Sequence, residues 1–181
     1  YFTMRFGNGS NNMYYTYMNE DFTKMETSPE PLFKHPDGRA CIDGDITRVG
    51  DRFHLFYVAH EGTPGIKQAV SKQLSKGFVY DPAWVDSEDV KCEAPNVWKR
   101  IGEDTWVLMY DIYGLHPPNF GFRETSDFKH FTDLGRFNEG RMRATNFESP
   151  KHGTVIPLTR RETEALCRHW QFDMTDDKET E

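Results

Sequence analysis

The chain has 181 residues, 36% hydrophobic, 14% aromatic and 28% charged, which is the size of one domain with a globular composition. A net charge of -7 and scattered basic residues exclude the basic stripe of a nucleic-acid binder; even Arg160-Arg161 stands beside Glu162 and Glu164. No apolar run is long enough for a membrane-spanning helix, and no signal peptide is visible ahead of a chain that begins at Tyr1, which leaves secretion to a periplasmic or extracellular space open.

In chain order, strand-like stretches run from Tyr1 to Phe6 and from Met13 to Tyr17. A polar turn at Asp21-Phe22-Thr23 and the apolar pair Leu32-Phe33 follow. Ile42-Asp43-Gly44-Asp45-Ile46 then leads through the turn Val49-Gly50-Asp51 into Arg52 to Val58. Ile66 to Val70 is followed by Leu74 to Val79. Glu93-Ala94-Pro95-Asn96-Val97-Trp98 leads through Ile101-Gly102-Glu103-Asp104 into Thr105 to Tyr110. Asn119 to Arg123 precedes Asp127-Phe128, Phe131-Thr132 and Leu134. His152-Gly153-Thr154-Val155-Ile156 opens a third copy. Thr159 and Glu162 form a capping box, so one helix is expected near the end, with Leu166 and Trp170 on one face. From residue 171 the chain turns polar and acidic and is expected to fray, which divides it into a domain at 1–170 and a tail at 171–181.

These stretches repeat with a period of about fifty residues, four short strands to each. That pattern suits propeller blades, and no long helical stretch interrupts it as a βαβ fold requires. An antiparallel sandwich is the alternative. Cys41, Cys92 and Cys167 are odd in number and lack CxxC spacing, so buried free thiols are expected, with no zinc site. In alternating strand phase Cys41 shares the face of Asp43, whereas Cys92 takes the face opposite Glu93, so these two are not expected to pair.

The first strand of a propeller blade lines the central channel, so polar residues there converge from different blades. The openers supply Asp43 with Asp45, then Glu93, then His152. Two carboxylates brought together in this way are what glycoside hydrolysis needs: one holds a proton for the leaving oxygen, the other stays ionised. Asp43 between Ile42 and Gly44, and Glu93 between Cys92 and Ala94, are costly to bury without a partner or a task. Asp43 and Glu93 are therefore expected to point into one cavity. His152 is equally well a structural histidine or a residue that organises water, an ion or a sugar hydroxyl.

At Cys41 to Ile46, Cys92 to Trp98 and Lys151 to Pro157 the chain resembles glycoside hydrolase family 43, over about Tyr1 to Trp170. The resemblance implies an all-β fold, about three blades of a five-bladed β-propeller with one short C-terminal helix. It implies an inverting glycosidase acting on arabinose-, xylose- or galactose-containing glycans, with no cofactor and no metal ligand assigned. The family's Ile-Asp opener maps onto Asp43, which tunes the acid and positions substrate, with Asp45 as second candidate. Its Glu-Gly-Pro opener maps onto Glu93 as general acid, although Ala94 stands where glycine is usual. Its His-Gly opener places His152 at the substrate. The family's general base, an aspartate in an Arg-Asp-Pro context, has no counterpart here. Asp81-Pro82 falls in a last, outward strand. The chain thus reads as a fragment covering blades two to four and the start of blade five, inactive alone and prone to self-association through open edges. The alternative is a non-catalytic carbohydrate-binding segment with Trp84, Trp98, Tyr110 or Tyr113 as sugar platforms. A propeller that transfers sugars to phosphate would want more Arg or His at the channel than His152.

Overall fold

A computed structural model of the chain describes residues 1–140, 142–143 and 148–172; most of the acidic tail lies outside the described residues. Eleven strands form three antiparallel sheets. The first holds β1 (Phe2–Arg5), β2 (Asn11–Tyr15) and β3 (Glu30–Phe33) in that order. The second holds β4 (Cys41–Val49), β5 (Arg52–Ala59), β6 (Gly65–Ser71) and β7 (Val79–Trp84). The third holds β8 (Glu93–Lys99), β9 (Trp106–Ile112), β10 (Asn119–Thr125) and β11 (Thr132–Arg136).

Each sheet keeps its strands in chain order, and the sheets stack face to face. That is the blade arrangement of a propeller, here a partial one, with β4 and β8 as inner strands. Asp81-Pro82 lies in β7, the outermost strand of its blade, where a missing N–H is tolerated.

The middle strands explain the stacking. β5 sends Leu55, Tyr57 and Ala59 to one face and Phe56 and Val58 to the other. The first set packs with Met13 and Phe33 of the first sheet, the second with Val97, Leu108 and Tyr110 of the third. β9 repeats this, giving Val107 and Met109 to a further layer with Phe120 and Phe122. A strand buried on both faces reads as a continuous apolar run, and both strands do. Cys41 and Cys92 are fully buried free thiols.

A charged brace joins the first two sheets. Lys67 Nζ, 2% exposed, donates to Glu61 Oε2 at 2.7 Å, to Tyr80 Oη at 2.8 Å and to the Pro82 carbonyl at 2.8 Å. It also sits 4.4 Å over the Trp84 ring. The other Glu61 oxygen lies 2.6 Å from Nε2 of buried His35. The ammonium thus enters the interior with every proton placed, which is the condition for burying it.

After the third sheet, residues 150–158 run without ladder hydrogen bonds, so the third opener is not the strand its sequence suggests. Among the described residues no strand follows to pair with it. Helix α1 (Arg160–Trp170) starts at Thr159 with both halves of the capping box formed. Its Leu166 and Trp170 stay exposed, and none of its residues is buried. No described helix is long and apolar enough to cross a membrane.

Gly121 of β10 faces Tyr110 across the ladder, and an added Cβ would lie 2.5 Å from the Tyr110 ring. Tyr110 is fully enclosed and cannot step aside. Gly121→Ala is therefore expected to lower unfolding free energy in urea by roughly 1–3 kcal/mol. Tyr110→Phe, which removes a buried hydroxyl with no hydrogen-bond partner, is expected to be neutral or stabilising in the same measurement.

Candidate active site

Each opener turns through one left-handed residue. Asp43, Ala94 and His152 have φ of 52°, 50° and 49°. In β4 and β8 these residues sit inside register shifts, between Ile42 and Asp45 and between Glu93 and Asn96. The turn is a β-bulge: extra residues bend the inner strand and re-aim its side chains. A left-handed position favours glycine, which accounts for the glycine usual at the place of Ala94. In the first and third openers the residue after the turn is held small by close neighbours. A Cβ at Gly44 would lie 2.5 Å from Met13 Sδ, and one at Gly153 3.1 Å from the Phe120 ring.

Two side-chain hydrogen bonds tie the second opener, and two the third, to the blade before it. Asp43 Oδ2 accepts the Ala94 N–H at 3.3 Å, and Asp45 Oδ2 accepts the Val97 N–H at 2.7 Å. One blade on, Asp111 Oδ2 accepts the His152 N–H at 3.3 Å, and Asn96 Oδ1 accepts the Val155 N–H at 2.7 Å. Asp45 and Asn96 thus do the same job in successive blades. The bond to Asn96 is what holds the unpaired third opener on the channel wall.

The result is a cavity of about 460 Å³ lined by Asp43, Asp45, Asn96, His152 and Thr154 among others. Glu93 stands beside it, its Oε1 3.0 Å from His152 Nε2 and 3.3 Å from Lys151 Nζ. Asp43 and His152 line this cavity, whereas Glu93, expected to share it with Asp43, is not among its lining residues and meets it through His152. Asp45 lies on the same wall, with its carboxylate engaged by the next blade.

Burial is the main force on the acids here. It raises the Asp43 carboxyl, with the Ala94 N–H opposing and the Glu93 charge adding. It raises Asp45 against the pull of the Val97 N–H, and Asp111 against that of the His152 N–H, with Glu93 again adding. Like charges gathered in one poorly solvated place favour the protonated form, the electrostatic condition for keeping one carboxyl as an acid. Ligand atoms of Glu93, Asp111 and His152 lie within 4.8 Å of one another, so these residues could hold a divalent cation, a set not apparent from sequence spacing.

Asp111 was not singled out from the sequence as a site residue. It closes the apolar run Trp106 to Tyr110 and is the cross-strand partner of Glu93. A fully buried aspartate at the end of such a run, one strand from an acidic opener, is the signal that marks it. Tyr110, by contrast, is no sugar platform: it is wholly enclosed, its ring seated on Gly121. Trp84 is 42% exposed, and Tyr113 lies under Lys151 Nζ at 5.6 Å from its ring centre.

A family model described as a probable glycosyl hydrolase domain, related to family 43, matches residues 3–164. The chain belongs to this family. Among solved structures, a thermostable family-43 glycoside hydrolase superposes with a TM-score of 0.56 at 19% identity, over 72% of this chain and 48% of that one. A glycosyl hydrolase from Bacteroides ovatus matches at TM-score 0.44 and 19% identity, over 52% of this chain and 31% of the other. An α-L-arabinanase from Cellvibrio cellulosa, solved with arabinohexaose, matches at TM-score 0.44 and 14% identity, over 69% and 50%. The chain therefore spans half or less of each of these solved chains. No match is found among the curated proteins.

The raised carboxyls fix the sign of a pH effect. Asp45 keeps its proton to higher pH when folded, so the folded state binds more protons than the unfolded one above the ordinary aspartate value of ~3.9. Its contribution is present below that value and lost as pH rises through the raised one. Asp45→Asn keeps an acceptor for the Val97 N–H, so its stability is expected to decline less than wild type from about pH 4 upward. Asp45→Ala orphans that N–H and is expected to cost roughly 1–3 kcal/mol across the range. Urea denaturation at several pH values checks both.

Proposed function

We propose that this chain carries the acid side of an inverting glycoside hydrolase acting on arabinose-, xylose- or galactose-containing glycans. Family membership makes it a glycosyl hydrolase domain; the finer reading rests on Asp43 and His152 lining one cavity, with Glu93 of the intervening opener hydrogen-bonded to His152. In this reading Glu93 protonates the leaving glycosidic oxygen. Asp43, whose own carboxyl is raised by burial with the Glu93 charge adding, stands as its partner and orients the sugar. His152 and Asp45 contact substrate hydroxyls along the wall. The glycan classes come from the resemblance, since the cavity lining does not distinguish one pentose from another.

Inversion needs a second carboxylate on the opposite face of the sugar, with room for water between it and the acid. Among the described residues the carboxylates lining the cavity are Asp43 and Asp45. The first is tied to the Ala94 N–H and the second to the Val97 N–H. We therefore place the water-activating base outside the described residues and expect the isolated chain to be inactive, since such a base contributes roughly 10²–10⁴-fold. The unpaired edge of β1 fits self-association of the isolated chain.

Titrating ¹⁵N-labelled chain with arabino-, xylo- and galacto-oligosaccharides is expected to move the Ala94 and His152 amide signals for at least one series. No movement with any of them would remove the carbohydrate reading. A panel of aryl arabinosides, xylosides and galactosides is expected to show no enzymatic turnover. Turnover that disappears in Glu93→Gln would show that a base is present after all.

A further inference from the structure

We infer that Asp111 is a positioning residue of this site: its buried carboxylate holds the turn at His152 and so sets the imidazole against Glu93. The inference goes beyond the proposed acid and its tuner, and rests on that reading only for the purpose the imidazole serves.

The argument comes from comparing one blade with the next. The bulges align Ile42 with Glu93, Asp43 with Ala94 and Asp45 with Asn96. In the second sheet the carboxylate that accepts the next opener's N–H comes from the left-handed residue itself, Asp43. In the third sheet that position is Ala94, which has no acceptor to offer. The acceptor for His152 comes instead from Asp111, one strand away in β9, at the same 3.3 Å. Asp111 thus replaces a function that its own opener lacks.

The place of Asp111 carries a second observation. Its counterpart in β5 is Val58: Ile42 pairs with Val58 where Glu93 pairs with Asp111. An apolar pair in one blade has become a pair of carboxyls in the next. Asp111 is fully buried, and its Oδ1 has no hydrogen-bond partner. A carboxylate in that state destabilises the fold relative to the valine its neighbouring blade uses. Its remaining oxygen makes one bond, to the N–H of His152, and lies 3.8 Å from His152 Nε2. The same imidazole nitrogen lies 3.0 Å from Glu93 Oε1. The geometry therefore assigns the carboxyl to His152 and, through it, to Glu93.

Blade comparison supplies the discriminating variant. Asp111→Val restores the pair found in the second sheet, and Asp111→Asn keeps an acceptor at the same position. The backbone amide and imidazole nitrogen signals of His152 are read in ¹⁵N-labelled chain, in EDTA and at one fixed pH, beside urea unfolding of each variant. Asp111→Val is expected to be at least as stable as wild type. Its His152 amide proton should shift upfield, and its imidazole signals should move to those of Glu93→Gln. Asp111→Asn is expected to keep both sets near their wild-type positions. A role confined to stability would give the reverse, a weakened Val variant with His152 unmoved. Unchanged His152 signals in folded Asp111→Val would overturn the assignment. Loss of both signals in Asp111→Asn would overturn it too, and decides the matter should the Val variant not fold. None of these signals requires turnover, so a chain that hydrolyses nothing leaves the test intact.

Discussion

Every opener turns through a left-handed residue, and in the second and third the backbone N–H at that turn finds its acceptor on the blade before it. The rest of the arrangement follows from meeting this requirement twice. Asp43 meets it for Ala94 and Asp111 meets it for His152. Because the acceptors are carboxylates, satisfying the backbone also gathers negative charge at the inner edge. Structural and chemical demands on these residues therefore coincide. A side chain chosen only to close the bulge would not have to be an acid, as Asn96 shows where it accepts from Val155.

The electrostatics of the cavity grow from that coincidence. Glu93 stands among Asp43, Asp111, Lys151 and His152, two opposing it and two of cationic type near its carboxylate. Asp43 and Asp111 are themselves poorly solvated, so each resists ionising while Glu93 is charged.

Much of this was legible in the sequence, because a propeller blade writes a period into the chain. The openers, the apolar runs of β5 and β9, the placement of Asp81-Pro82 in an outer strand and the capping box at Thr159 and Glu162 follow from local spacing and turn chemistry. The left-handed turns did not, since Asp43 and His152 are not glycines and only the following Gly44 and Gly153 hint at them. Asp111 escaped because it sits in a strand interior, where its partner is set by register across the sheet. Tyr110 misled for the same reason: its enclosure depends on Gly121, eleven residues away and directly opposite. The third opener reads as a strand by pattern, but a ladder requires a neighbour.

Neighbouring blades meet through an apolar layer and through side-chain links such as Asp43 to the Ala94 N–H, Gln68 to the Phe128 carbonyl and Arg123 to the Val85 carbonyl. A stack coupled in this way behaves as a row of units with nearest-neighbour terms, in which cohesion is a local quantity. Among the described residues, the sheet of β4 to β7 has a packed sheet on each side. Its middle strands are accordingly enclosed on both faces. The two halves of the site are therefore held differently: Asp43 stands on a laddered strand, and His152 on a segment fixed by the side chains of Asp111 and Asn96.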